Sequence, residues 1–200
     1  MPKLEDSNDL KGFILDESGL PENFPTHLHS PRFWEELGRA IATFGFLEEV
    51  LGKAIFSFTA TRRYSDEEID KALRSWLPKL ERALSDPLGS LIDAYGKAVR
   101  EHSDADIENF DQLLDELRKI AVYRNILCHS SWRCPDANGA SVPYFFKKEA
   151  KKFDGKMDIE FLGECRNCTV NLICEVINTV TCMGWQFPGS VGPGVPIYDK

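Results

Sequence analysis

The 200 residues are 42% hydrophobic with 13 Phe and 4 Trp, enough apolar material for one domain with a sizeable core, which excludes global disorder. Lys and Arg total 24 against 32 Asp and Glu, a formal net charge of −8, so a protein that coats nucleic acid by bulk electrostatics is excluded and any contact with phosphate has to be local. No apolar run approaches the roughly 18 residues that span a bilayer, and MPKLEDSNDLKGF offers neither a basic start nor an apolar leader core, so a cytoplasmic protein with reduced thiols and no membrane contact is expected.

Residues 1–30 carry Pro2, Pro21 and Pro25 with little periodicity, which predicts an irregular arm. His27 and His29 lie in it without a neighbouring Cys or acid cluster, so an ordinary linker fits them better than a metal site. Ser30-Pro31 then starts a helix, with a capping hydroxyl followed by Pro at the first helical position. Leu37, Ile41, Phe44, Leu51, Ile55 and Phe58, mostly three or four apart, carry that helix to about Phe58. Glu48 falls in the gap of this stripe. A carboxylate there is costly unless a donor or cation meets it, so either the edge of the stripe is solvated or Glu48 has a partner on another helix.

Ser65-Asp66-Glu67-Glu68 is a capping box before Ile69, Leu73, Trp76, Leu77 and Leu80, a second helix that Pro78 should kink. Asp86-Pro87 opens a short helix through Leu91, Ile92, Tyr95 and Val99, ending near His102, which reads as a solvated histidine at a helix C-terminus. Ser103 or Asp104 should cap the next helix, whose seam is Ile107, Phe110, Leu114, Leu117 and Ala121. The same alternation continues to Arg124 and Cys128. Beyond Trp132, the turn cluster Pro135 to Gly139, the strand-like Tyr144-Phe145-Phe146 and the alternating Met157, Ile159 and Phe161 predict a β-hairpin over about 143–162. Its Lys147, Lys148, Lys151, Lys152 and Lys156 either steer a polyanion toward a site or keep an exposed edge soluble. A last helix is expected from about Val170 to Met183, completing a single domain over 31–185, with residues 186–200 as an irregular tail. There is no internal repeat.

Cys165-Arg166-Asn167-Cys168 could in principle join Cys128 and Cys134 around zinc, but these do not form two compact knuckles. Free thiols, with no metal and no cofactor, are the expectation.

The chemistry concentrates in Arg124-Asn125-Ile126-Leu127-Cys128-His129. At about 100° per residue Asn125 and His129 share a face, and Arg124 beside them continues the apolar seam rather than the solvent face. A histidine in the last turn also sits at the negative end of the helix dipole, where positive charge is stabilised. The group is suited to holding an anion and moving a proton, and Arg124, Asn125 and His129 form the one polar cluster on a comparable helix that could meet Glu48.

This R-N-x-x-x-H arrangement after an earlier helix bearing Phe44-Gly45-Phe46-Leu47-Glu48 resembles the HEPN superfamily, over about residues 31–132. The resemblance implies a mainly α antiparallel helical bundle, here with a small β-hairpin inserted before the last helix, and a ribonuclease of the kind found in toxin–antitoxin and abortive-infection systems. It implies catalytic roles for Arg124, Asn125, His129 and Glu48, and a homodimer with a composite site. Ser130 stands where relatives often carry Gly. Single-stranded RNA is then the expected substrate. Family members that only bind a nucleotide or a partner protein, such as a nucleotidyltransferase antitoxin, supply the alternative.

Overall fold

Among the described residues, apolar stripes at helical spacing build four long helices: α1 (Pro31–Ala60), α2 (Leu88–Arg100), α3 (Phe110–His129) and α4 (Ile159–Thr181). The computed structural model describes residues 14–62, 65, 87–145 and 153–190. The helix expected after the Ser65 capping box, and Lys147, Lys148, Lys151 and Lys152, lie outside the described residues. The protein is mainly α, with a bundle-like arrangement of these helices.

Helix α1 starts where the Ser-Pro pair requires it. Ser30 Oγ accepts a hydrogen bond from the Phe33 N–H at 3.3 Å, and Pro31 occupies the first turn. Its buried stripe runs through Phe33, Leu37, Ala40, Phe44, Leu47, Leu51, Ala54 and Phe58. That stripe is rotated slightly from the expected seam, so Ile41 and Ile55 are half-buried at its edge, and Glu48 lies on that edge with them. Along α1, Phe58 meets Tyr95 of α2 at a ring separation of 6.4 Å. Tyr95 in turn shares a buried 2.8 Å hydrogen bond with Thr179 of α4.

Contacts between named residues set the helix directions. Arg118 pairs with Asp93 at 3.2 Å and Arg100 with Asp111 at 2.6 Å, so α2 and α3 run antiparallel. Glu36 faces Arg166, while Phe58 faces Trp185 just beyond α4, so α1 and α4 run in the same direction. Trp132, just past α3, packs on Phe33 at the start of α1, and Arg124 meets Glu48 further along α1, so α3 runs against the other three. The α2–α3 approach is close: a Cβ on Gly96 would stand 3.0 Å from Leu114 Cδ1, so any side chain there would push Leu114 aside.

Two expectations about helix starts and one about His102 are corrected. Helix α3 begins at Phe110 rather than near Ser103, after Asn109 in the left-handed region at φ 56°. The preceding residues turn instead, because His102 is buried against Phe58 and Trp185 and its Nδ1 accepts from the Asp104 N–H at 3.2 Å. His102 is thus a core residue and not a solvated terminal histidine. Helix α4 starts at Ile159, well before Val170, because Asp158 caps it by accepting from the Phe161 N–H at 2.8 Å. The alternation of Met157, Ile159 and Phe161 was too short to distinguish a strand from a helix start.

The β-hairpin expected over about 143–162 finds no support among the described residues, and its centre, 146–152, lies outside them. The described residues contain no strand, only two isolated antiparallel bridges, Ser131 with Tyr144 and Ser141 with Met157. The arm is also tied to the body. His29 stacks on Phe33 at 4.0 Å, its Nε2 lies 2.9 Å from the Arg133 carbonyl oxygen, and Trp34 Nε1–H donates to the Thr26 carbonyl at 2.7 Å. His29 is therefore a packing residue rather than part of a loose linker. Among the described residues no helix is long and apolar enough to cross a membrane.

Candidate functional site

The last two turns of α3 hold the polar group. Leu113, Leu117, Ile120 and Leu127 are buried on this helix, and Arg124, spaced with them, occupies a core-facing position that an apolar side chain would otherwise fill. Its guanidinium is met there. Arg124 Nη2 donates to Glu48 Oε1 at 2.8 Å, with the two side chains 23% and 25% exposed. Glu48 thus has the partner its place on the stripe calls for, and the pair joins α1 to α3.

Arg124 Nη1 also donates to Asn125 Oδ1 at 3.3 Å. A guanidinium has five N–H donors, so these two bonds leave others for an incoming anion. Asn125 and His129 are exposed, and His129 is the final residue of α3. The helix stops because Ser130 turns extended, with its N–H still donating to the Ile126 carbonyl. The structure therefore brings Glu48, Arg124 and Asn125 into one bonded chain and leaves His129 beside it on the surface, bonded to none of the described residues.

Cys128, one helical turn beyond Arg124, has its thiol pushed up chiefly by partial burial; Arg124 opposes that shift and Glu48 adds to it. The thiol is consequently poorly suited to act as a nucleophile at neutral pH. Among the described residues, no three His, Cys, Asp or Glu side chains converge as a metal site. Cys128, Cys134, Cys165 and Cys168 are all free thiols, Cys165 buried and Cys168 exposed on α4. Lys156 is bound to Asp136 at 2.7 Å, which holds that carboxyl below its usual range.

The chain beyond His129 leads from this site to the far end of α1. Trp132 packs edge-on against Phe33 at 4.9 Å, and Arg133, whose carbonyl meets His29, lies over the Tyr144 ring at 4.4 Å. Two features escaped the sequence. Ser130 Oγ is buried without a hydrogen-bond partner among the described residues, directly after His129. A second polar pair, Glu36 and Arg166, lies between α1 and α4. Arg166 could not be placed while its helix was expected to begin at Val170.

Comparisons of the chain with models of known protein families, with characterised proteins and with solved structures find no match.

Proposed function

We propose that this chain is an HEPN-type endoribonuclease, toxin- or defence-related, that works as a homodimer and cleaves single-stranded RNA without a metal ion. The observation that carries this reading is the Glu48–Arg124 bond, which fixes a guanidinium at a helix end beside the exposed Asn125 and His129. Glu48 fixes the orientation of the Arg124 fork, so less of its side-chain freedom remains to be lost when phosphate binds.

The reaction needs a base, an acid and a clamp for developing charge. In one protomer, His129 takes the proton of a ribose 2′-hydroxyl, and the oxygen forms a bond to the adjacent phosphorus. Remaining Arg124 N–H donors and the Asn125 amide hold the charge that builds on the non-bridging oxygens. The bond to the 5′-oxygen breaks, and the partner subunit's His129 supplies its proton. The products are a 2′,3′-cyclic phosphate and a 5′-hydroxyl. One histidine cannot give and take in the same step, so the chemistry itself favours two copies.

Purified protein should cut a single-stranded RNA in the presence of EDTA and leave cyclic phosphate ends, while His129→Ala should not. Equal background from both proteins would sink the catalytic reading.

A second reading is a binding module of the same type that captures a nucleotide or a nucleotidyltransferase-like partner. Arg124 is already committed to Glu48 and Asn125, and the net charge of −8 gives free RNA little attraction. Arg124→Ala would then abolish capture of the partner, and RNA would stay intact with the wild-type protein.

A further inference from the structure

The seam between α1 and α4 holds a charged pair that does not close on itself. Glu36 Oε2 and Arg166 Nε stand 3.8 Å apart, too far for a hydrogen bond. Both atoms are buried, and neither has a hydrogen-bond partner among the described residues. Buried polar groups in folded proteins are nearly always satisfied, so two orphans facing one another indicate a place where something else bonds. Both residues line a cleft of about 750 Å³ that is also bounded by His29, Arg32, Asn138 and Glu160.

The chemistry of the two atoms restricts the occupant. A carboxylate oxygen only accepts, and a guanidinium Nε–H only donates. A simple anion would satisfy Arg166 and be repelled by Glu36, and a simple cation would do the reverse. A group carrying a donor and an acceptor side by side satisfies both. The edge of a nucleobase has that pattern, and guanine suits it best: O6 accepts from Arg166, while N1–H, backed by the N2 amino group, donates to Glu36.

We infer that this cleft is a guanine-binding subsite for the RNA, a proposal that rests on the ribonuclease reading for its choice of a nucleobase. At 1.5 Å rise per residue, Glu36 lies about 18 Å along α1 from Glu48. The segment after His129 runs in that direction, to the Arg133 carbonyl that holds His29 at the rim of the cleft. A single strand with its scissile phosphate at His129 can therefore extend toward the cleft and place a base there.

The test is calorimetric titration of the whole chain with guanosine 5′-monophosphate, adenosine 5′-monophosphate, inorganic phosphate and N-acetylglutamine amide. Guanosine monophosphate should bind saturably, with each of the other three about tenfold weaker or more. Glu36→Gln and Arg166→Gln should each weaken it about tenfold. Arg166→Lys, which keeps the cation beside Glu36 but removes the Nε–H, should weaken it too and serves where Arg166→Gln fails to fold. No saturation by guanosine monophosphate, binding matched by phosphate, preference for the amide as a peptide mimic, or unaltered binding by folded variants would each overturn the subsite. His129→Ala should bind guanosine monophosphate like the wild type. If that binding is present while wild-type protein leaves RNA uncut, the ribonuclease reading fails and the subsite stands.

Discussion

On the function proposed above, Arg124 has two demands on it, one structural and one chemical, and substitutions can separate them. Its bond to Glu48 is about three-quarters covered, so removing one partner strands the other in a poorly hydrated place. Breaking a fully buried pair costs about 3–5 kcal/mol, and the remaining exposure brings Arg124→Ala and Glu48→Ala nearer about 1–2 kcal/mol, readable as a lowered denaturant midpoint. His129 is exposed at the helix end and bonded to none of the described residues. His129→Ala should therefore change stability by no more than about 0.5 kcal/mol and, if the proposed ribonuclease reading holds, still abolish cleavage, which makes it the clean probe of chemistry. The cysteines give a pH prediction. Burial raises the Cys165 thiol from 9.0 to about 11, with Cys168 adding to the shift. A raised thiol pKa keeps the neutral form to higher pH in the folded chain than in the unfolded one. Cys165 should thus be the last to react with a thiol reagent at pH ~8, and its contribution to folding, complete below about 9, should fade as the pH rises through about 11. Mass-spectrometric mapping of labelled cysteines checks the order, and early labelling of Cys165 would contradict its burial.

At the scale of elements, the helix starts are held by single side chains whose removal has a predictable cost. Ser30 and Asp158 each accept a hydrogen bond from the N–H three residues on. Ser30→Ala and Asp158→Ala should each lose about 1 kcal/mol in denaturant melts, and loss of α4's first turn in the latter should also loosen the wall of the Glu36–Arg166 cleft. The α2–α3 crossing is tight at Gly96, where an added Cβ would crowd Leu114. Gly96→Val should destabilise by about 1–3 kcal/mol through overpacking, and a melting temperature equal to wild type would show that this crossing can yield. Capping signals were legible at Ser30, where Pro31 reinforced the reading. Asp158 carried the same chemistry but was read inside a strand, because three alternating apolar residues fit either period.

For the whole molecule the decisive quantity is whether two helix ends meet. Val122, Asn125 and His129 are three and four residues apart, share one face of α3, and are all exposed, Val122 at 40%. If the proposed homodimer forms through this face, sedimentation should give twice the chain mass, and Val122→Arg should return the protein to monomer and remove cleavage together, since the acid and base would be separated. A monomeric wild type at all working concentrations would rule out the composite site. The excess of 32 acids over 24 Lys and Arg adds a second expectation for the ribonuclease proposed above: its RNA affinity should fall only shallowly with salt, because few phosphates are neutralised.

Local spacing alone determined that this is a mainly helical protein, where α1 begins, and that Glu48 and Arg124 are polar residues on faces meant for the core. These are short-range facts, since apolar periodicity and caps are written within a turn or two of the residues they govern. Tertiary structure decided what those residues meet. The spacing pointed from Glu48 to the Arg124 cluster but left a solvated edge open, and nothing near His29 or His102 shows that one meets Trp132 and the other Phe58 and Trp185. The Glu36–Arg166 cleft belongs to the same class, because its two orphaned atoms come from helices at opposite ends of the chain. Burial and partnership depend on how elements pack, and packing is a sum over contacts that no single stretch of sequence contains.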